Sequence, residues 1–203
     1  MLCSAMLRFS NGVNIGTFHA AQGRPGYGLG RPVTTYLLNR RNRKLKGRIA
    51  VSPSAKKFAS RHVAGEFTVI PNGVSLKDFN PGITPLARYR DGKVNIVFVG
   101  RLEARKGVNH LIAAYGRLKR EHPATRLMIV GPGVRLRHRY EEAVAAGGIK
   151  DVVFTGPVPF EELPQYYATA DIFCSPATGR ESFGMVLLEA MASGKPIVAT
   201  DIE

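Results

Sequence analysis

At 203 residues with 44% hydrophobic content, the chain carries enough apolar material for a packed core, which excludes global disorder. No stretch approaches the roughly 20 apolar residues of a bilayer span, and the opening MLCSAMLRF has neither a basic leader nor a long apolar run, so no signal peptide is expected and the reading is cytoplasmic. The formal charge of +14 favours anionic partners such as phosphates, nucleic acid or acidic lipid without choosing among them, while Cys3 and Cys174 fit no metal or redox spacing.

In chain order, the pattern begins with an extended VNIGTF at 13–18, a Gly/Pro-rich loop at 23–32 and a basic helix ending at Gly47. A strand at 48–52, a helix at 54–63 and a strand at 67–71 follow. The densest charge, Arg40, Arg41, Arg43, Lys44, Lys46 and Arg48, falls on that basic helix, where cations suit the negative end of the helix dipole. It reads either as a solvated helix end or as a membrane or ligand patch. Three strands are too few for a complete Rossmann-like half, so residues 1–80 are expected to be the C-terminal part of a domain whose beginning is absent. Residues 81–92, with Pro81, Gly82 and Pro85, read as a linker.

From Lys93 onward, β-branched runs alternate with helical patterns, which predicts a parallel sheet with crossover helices. Strands are expected at 94–99, 126–130, 152–155, 172–175 and 196–200, and helices at 107–120, 139–146, 160–168 and 184–193. The apolar runs NIVFVG, LMIVG and PIVAT suit strands covered on both faces. Residues 93–203 therefore read as a Rossmann-like domain truncated at its C-terminus, and Cys174 as a small core residue.

The most informative stretch is ESFGMVLLEAMASGKP, 181–196, which joins a strand end, a small-residue loop and a nearly all-apolar helix. A helix start leaves N–H groups unpaired and carries partial positive charge, so the backbone of Phe183, Gly184, Met185 and Val186 is a candidate cradle for a diphosphate. Glu189 lies roughly 8 Å further along the axis, within reach of a ribose diol. Its alternative is a carboxylate at a cleft mouth, or one facing a buried basic partner, for structural reasons alone. Glu181 is equally an acid that favours the helix dipole. A second constellation, VGRLEARKGV at 99–108, sits at the carboxyl end of a strand, the edge where open α/β sheets bind ligands. Arg101 offers bidentate hydrogen bonds to phosphate and Lys106 a point charge, while Arg105 reads as ordinary surface basicity.

Together, VGRLEARKG and ESFGMVLLEAMASGKPIVAT resemble the GT-B family of retaining glycosyltransferases known as family 4, whose paired-glutamate motif Glu181 and Glu189 match in spacing. The resemblance extends through IPNGV at 70–74 and the partial motif TFHA at 17–20, and so covers essentially the whole chain. It implies a GT-B α/β architecture: a near-complete Rossmann-like donor domain at 93–203 and part of a Rossmann-like acceptor domain at 1–80. It also implies transfer of a sugar from a nucleoside diphosphate sugar, such as a GDP- or UDP-sugar, with retention of configuration. Arg101 and Lys106 would neutralise the departing diphosphate. Glu189 would hold the ribose, and Glu181 with the backbone of residues 183–186 the sugar and phosphates. Val158 would lie near the base, Gly100 would join the donor-binding set, and His19 would contact the transferred sugar or the acceptor. For His19 a satisfied structural histidine is an equal alternative.

No metal and no cofactor are expected, since the sequence has no Asp-x-Asp pair and no His/Cys/Asp cluster with ligand spacing. The expected partners are the nucleotide-sugar donor and a lipid-linked or glycan acceptor, with peripheral contact to an anionic membrane at the inner face of the plasma membrane. The general look is nearest to enzymes that mannosylate phosphatidylinositol. Relative to the family pattern the chain lacks the first acceptor-domain strands, including their glycine-rich loop, and the final helices, so it is expected to be an incomplete product. The rival reading is a non-catalytic basic α/β module binding anionic lipid or nucleotides. Nucleic acid is disfavoured: aromatic content is 8% with no Trp, and no aromatic stripe alternates with the basic residues.

Overall fold

The computed structural model describes residues 7, 9–20, 40, 42–179 and 181–202. The chain divides into two compact units, residues 1–72 with 180–183, and residues 73–179 with 184–203.

The first unit is built on a three-stranded parallel sheet, ordered β1 (Asn14–Phe18), β2 (Leu45–Ala50), β3 (Thr68–Val69). Helix α1 (Pro53–Ser60) follows β2 directly. Ser52 caps it, its Oγ accepting from the Ala55 N–H at 3.0 Å, and Pro53 fits the first turn, where no intrahelical donor is needed. Ala50, Val51, Ala55, Ala59, Val63 and Phe67 form the core of this unit. The basic helix expected to end at Gly47 is corrected. Helix extends over Arg40 and Asn42, and β2 starts at Leu45, so Lys46 and Gly47 already belong to the strand expected to begin at Arg48. Pairing overrides local preference here: Leu45 is opposite Asn14 and Gly47 opposite Ile15, with an irregularity between them that a glycine accommodates. The Gly/Pro-rich loop expected at 23–32 lies outside the described residues.

The second unit holds a five-stranded, all-parallel sheet of β4 (Val94–Val99), β5 (Thr125–Val130), β6 (Val152–Gly156), β7 (Ile172–Ser175) and β8 (Ile197–Ala199), in the spatial order β6-β5-β4-β7-β8. Its connecting helices are α2 (Val108–Glu121), α3 (Val134–Ala146), α4 (Leu163–Thr169) and α5 (Met185–Ala192). Alternation along the strands sorts the core into two layers. Ile96, Phe98, Leu127 and Ile129 face Val108, Leu111, Ile112 and Tyr115 of α2 and Tyr140 of α3. Val97, Val99, Met128, Val130 and Phe173 face Tyr166 and Tyr167 of α4 and Ala190 of α5. Helices thus cover both faces, and β4 and β5, buried almost throughout, are the strands that this requires to be apolar. Residues 79–91 pack on the same unit: Phe79 is buried in the second layer, and the Leu86 N–H donates to Thr169 Oγ1 at 2.8 Å.

One further expectation changes. Helix α3 starts at Val134 rather than at residue 139: Leu136, one turn before Tyr140, packs on the same layer, and Arg137 pairs with Glu141 at 2.7 Å. Strand β8 pairs in parallel with β7, and its Val198 is 58% exposed. Cys174 is half-buried against the α2–α3 layer, and burial pushes its thiol pKa up.

Candidate functional site

Within the second unit, β4 and β7 are hydrogen-bonded neighbours, and the strand order reverses between them. That reversal is the switch point where open α/β sheets take ligands, so the loops leaving these two strands form one rim. After β4 come Gly100, Arg101 and a 3-10 turn at Ala104–Lys106; after β7, Pro176 begins the loop leading to α5. The two loops are joined by backbone. The Thr178 N–H donates to the Arg105 carbonyl at 2.8 Å, and the Thr178 hydroxyl reaches the same oxygen at 3.3 Å. Gly107 closes the turn with φ at 69°, and a Cβ on it would stand 1.8 Å from the Pro176 carbonyl oxygen. Only a residue without a side chain permits that approach. On the other flank, the Leu102 N–H donates to Pro132 at 2.8 Å and the Gly100 N–H to Val130 at 2.9 Å, tying the β4 loop to the end of β5.

Arg101 is exposed and Lys106 half-buried on this rim, and Arg105 pairs with Glu103 at 2.7 Å. Helix α5, which follows the β7 loop, begins at Met185 behind Gly184, whose φ of 84° and ψ of 52° are left-handed. Gly184 offers no side-chain cap and no acid occupies the first turn, so the positive end of the helix dipole and its leading N–H groups are suited to an anion. The topology therefore brings Gly100, Arg101, Lys106, Gly184, Met185 and Val186 to the same end of one sheet.

Glu189 lies further along α5, half-buried, and its partner is not basic. The hydroxyl of Tyr167, on α4, donates to Glu189 Oε2 at 2.5 Å. Tyr167 is fully buried, edge-on to Phe79 at 5.6 Å and tilted against Phe173 at 5.4 Å. Burial first, and the adjoining carboxylate second, drive its pKa far above that of a free tyrosine, so the hydroxyl remains a donor throughout the ordinary pH range.

Val158, in the loop after β6, packs half-buried on the α4–α5 layer. Glu181 and Phe183 group with the first unit, where Phe183 packs against the core that contains Ala55 and Phe67. His19 follows β1 directly and is exposed.

Residues 93–203 match the family model of glycosyl transferases group 1. The chain belongs to that family. Relatives of this glycosyltransferase chain include the phosphatidyl-myo-inositol mannosyltransferase of Mycobacterium tuberculosis, 33% identical over 97% of the chain and 50% of that protein. Another is the GDP-mannose-dependent alpha-(1-6)-phosphatidylinositol monomannoside mannosyltransferase of Mycolicibacterium smegmatis, 39% identical over 64% of the chain and 37% of that protein. The chain thus spans about half the length of the first relative. Among solved structures, Anabaena HepE in complex with UDP-glucose superposes with a TM-score of 0.78 at 21% identity, covering 98% of this chain and 56% of that one. The architecture is that of the GT-B glycosyltransferases.

Sequence reasoning missed three members of the rim's support: Pro176 and Thr178, which hold the β4 loop, and Tyr167, which holds Glu189. A signal for Tyr167 was available. A tyrosine within an apolar helix needs a partner for its hydroxyl, and a carboxylate within an apolar helix needs a donor.

Proposed function

We propose that this chain contributes the donor-binding part of a glycosyltransferase that moves a sugar from a nucleoside diphosphate sugar to an acceptor with retention of configuration. In this reading residues 93–203 are the donor domain, 81–92 the linker and 1–80 part of the acceptor domain. The observation that carries it is the meeting of the β4 and β7 loops at the switch point, with two cations on one and an uncapped helix start beside the other. Arg101, Lys106 and the N–H groups at 184–186 are the donors for a diphosphate. Their charge matters most as that diphosphate departs, when negative charge grows on its oxygens. Glu189 accepts from the ribose hydroxyls, and Val158 borders the base.

GDP-mannose is the first donor to test, because the Mycolicibacterium relative is named for it, and UDP-sugars are the second, because HepE was solved with UDP-glucose. The acceptor in this reading is lipid-linked and of the phosphatidylinositol type, as the names of the mannosyltransferase relatives suggest. The exposed cations Arg40, Arg43, Lys44 and Lys46 support an approach to the anionic inner face of a membrane, at roughly 1 kcal/mol each near such a surface. Among the described residues no helix is long and apolar enough to cross one.

Titration calorimetry with GDP and UDP tests the site. One of them is expected to bind, and Lys106→Ala and Glu189→Ala are each expected to weaken it by about 10- to 100-fold, the scale of a lost charge-assisted hydrogen bond. Unchanged affinity in both variants would refute the assignment. Salt-sensitive binding to anionic vesicles with no nucleotide binding favours the basic-module reading instead.

A further inference from the structure

We infer that Tyr167 is a positioning residue for nucleotide recognition, holding the Glu189 carboxylate in the one orientation from which it can accept hydrogen bonds from a ribose diol. The inference rests on the donor-site reading above. A glutamate on a helix surface samples several side-chain rotamers, and its carboxylate turns freely about the last bond. Binding a diol with such a group means ordering it first, a cost of the order that limits many polar contacts.

The structure removes that cost in advance. Tyr167 Oη sits 2.5 Å from Glu189 Oε2, and the ring beneath it is clamped between Phe79 and Phe173 with no solvent exposure. The Phe79 ring is itself braced by Phe160 at 6.0 Å. Tyr167 therefore has no freedom to follow Glu189; Glu189 must conform to Tyr167. The tie engages only one carboxylate oxygen. Oε1 makes no hydrogen bond among the described residues, and each oxygen has lone pairs to spare for a diol. A purely structural pairing of α4 with α5 does not need a carboxylate, because an apolar contact at that depth closes the same layer at lower desolvation cost.

The test uses the chain as it exists, with GDP and UDP as probes and inorganic pyrophosphate as the ribose-free control. Tyr167→Phe removes only the hydroxyl and keeps the ring stack. It is expected to weaken the nucleoside diphosphate about tenfold while leaving pyrophosphate affinity unchanged. In the Glu189→Ala background the same substitution is expected to have no further effect, since the group it positions is gone. Glu189→Asp, which retracts the carboxylate by one methylene, is expected to reproduce the nucleoside-selective loss. This second route keeps the idea testable should the phenylalanine variant fold poorly. Equal weakening of nucleotide and pyrophosphate, or an undiminished Tyr167→Phe effect in the Glu189→Ala background, overturns the inference. If Glu189→Ala weakens nucleotide binding and Tyr167→Phe does not, the inference fails while the donor site stands. If the unaltered chain binds neither nucleotide, the donor reading fails and takes this inference with it.

Discussion

Substituting Gly107 by alanine probes the contact that holds the two rim loops together. At φ of 69° the backbone is left-handed, which costs an L side chain about 1–2 kcal/mol relative to glycine. The new methyl also meets the Pro176 carbonyl, with its oxygen at 1.8 Å and its carbon at 2.8 Å. That obstacle is backbone on a loop pinned to Arg105 through Thr178, so it cannot swing aside as a side-chain tip does. Overpacking of this kind adds about 1–3 kcal/mol, for a total loss of about 2–5 kcal/mol. Gly148 supplies the control. Its φ of 59° is also left-handed, yet nothing lies within 4 Å of a Cβ placed there, so Gly148→Ala carries only the conformational cost of about 1–2 kcal/mol. Urea unfolding followed by circular dichroism compares the two variants directly, and nucleotide titration of Gly107→Ala reports whether the rim has opened. If the two alanine variants are equally stable, the close approach of Gly107 to Pro176 is not made in solution and the argument for a joined rim fails.

Asp151 joins Lys93 at 2.5 Å and Lys119 at 2.6 Å, and hydrogen bonding to the two lysines lowers its pKa to about 2. Its contribution is therefore complete above its unfolded value and is lost as pH falls from about 4 through about 2; with solvent screening it amounts to about 1 kcal/mol. Asp151→Asn, which tolerates the left-handed φ of 56°, is expected to lower urea stability by that amount at pH 7, with the difference shrinking as pH falls from about 4 through about 2. Arg126 is buried, with hydrogen bonds to Asp91 at 2.5 Å and to Asn95 Oδ1 at 3.1 Å and its guanidinium 5.0 Å from the Tyr89 ring centroid. Arg126→Met is expected to cost about 3 kcal/mol in the same assay, because the Asn95 oxygen loses its donor inside the protein.

Much of the second unit was legible because burial on both faces leaves a signature no local effect disguises. NIVF and LMIV have no polar face, and their separation by helical patterns leaves a doubly wound sheet as the simple solution. The start of α3 hid behind the solvated charges Arg135, Arg137, His138 and Arg139, among which Leu136 is the single core-facing residue before Tyr140. In the first unit Lys46 and Gly47 look like a helix end and are strand, since only pairing with β1 decides their conformation. The rim residues were readable because charged groups and glycines at strand ends have few structural reasons to be there. Tyr167 was not read, because in one dimension its hydroxyl and the Glu189 carboxylate are two separate polar oddities.

The adjacency of β4 and β7 has a kinetic side. These strands are distant in sequence, whereas β4, β5 and β6 follow one another, so pairing β7 against β4 closes the longest loop in the sheet. A chain that has paired only β4 to β6 has Arg101 and Lys106 but not yet the β7 loop beside them. On the proposed donor reading, an anion held by both loops would by mass action favour the completed pairing of β4 with β7.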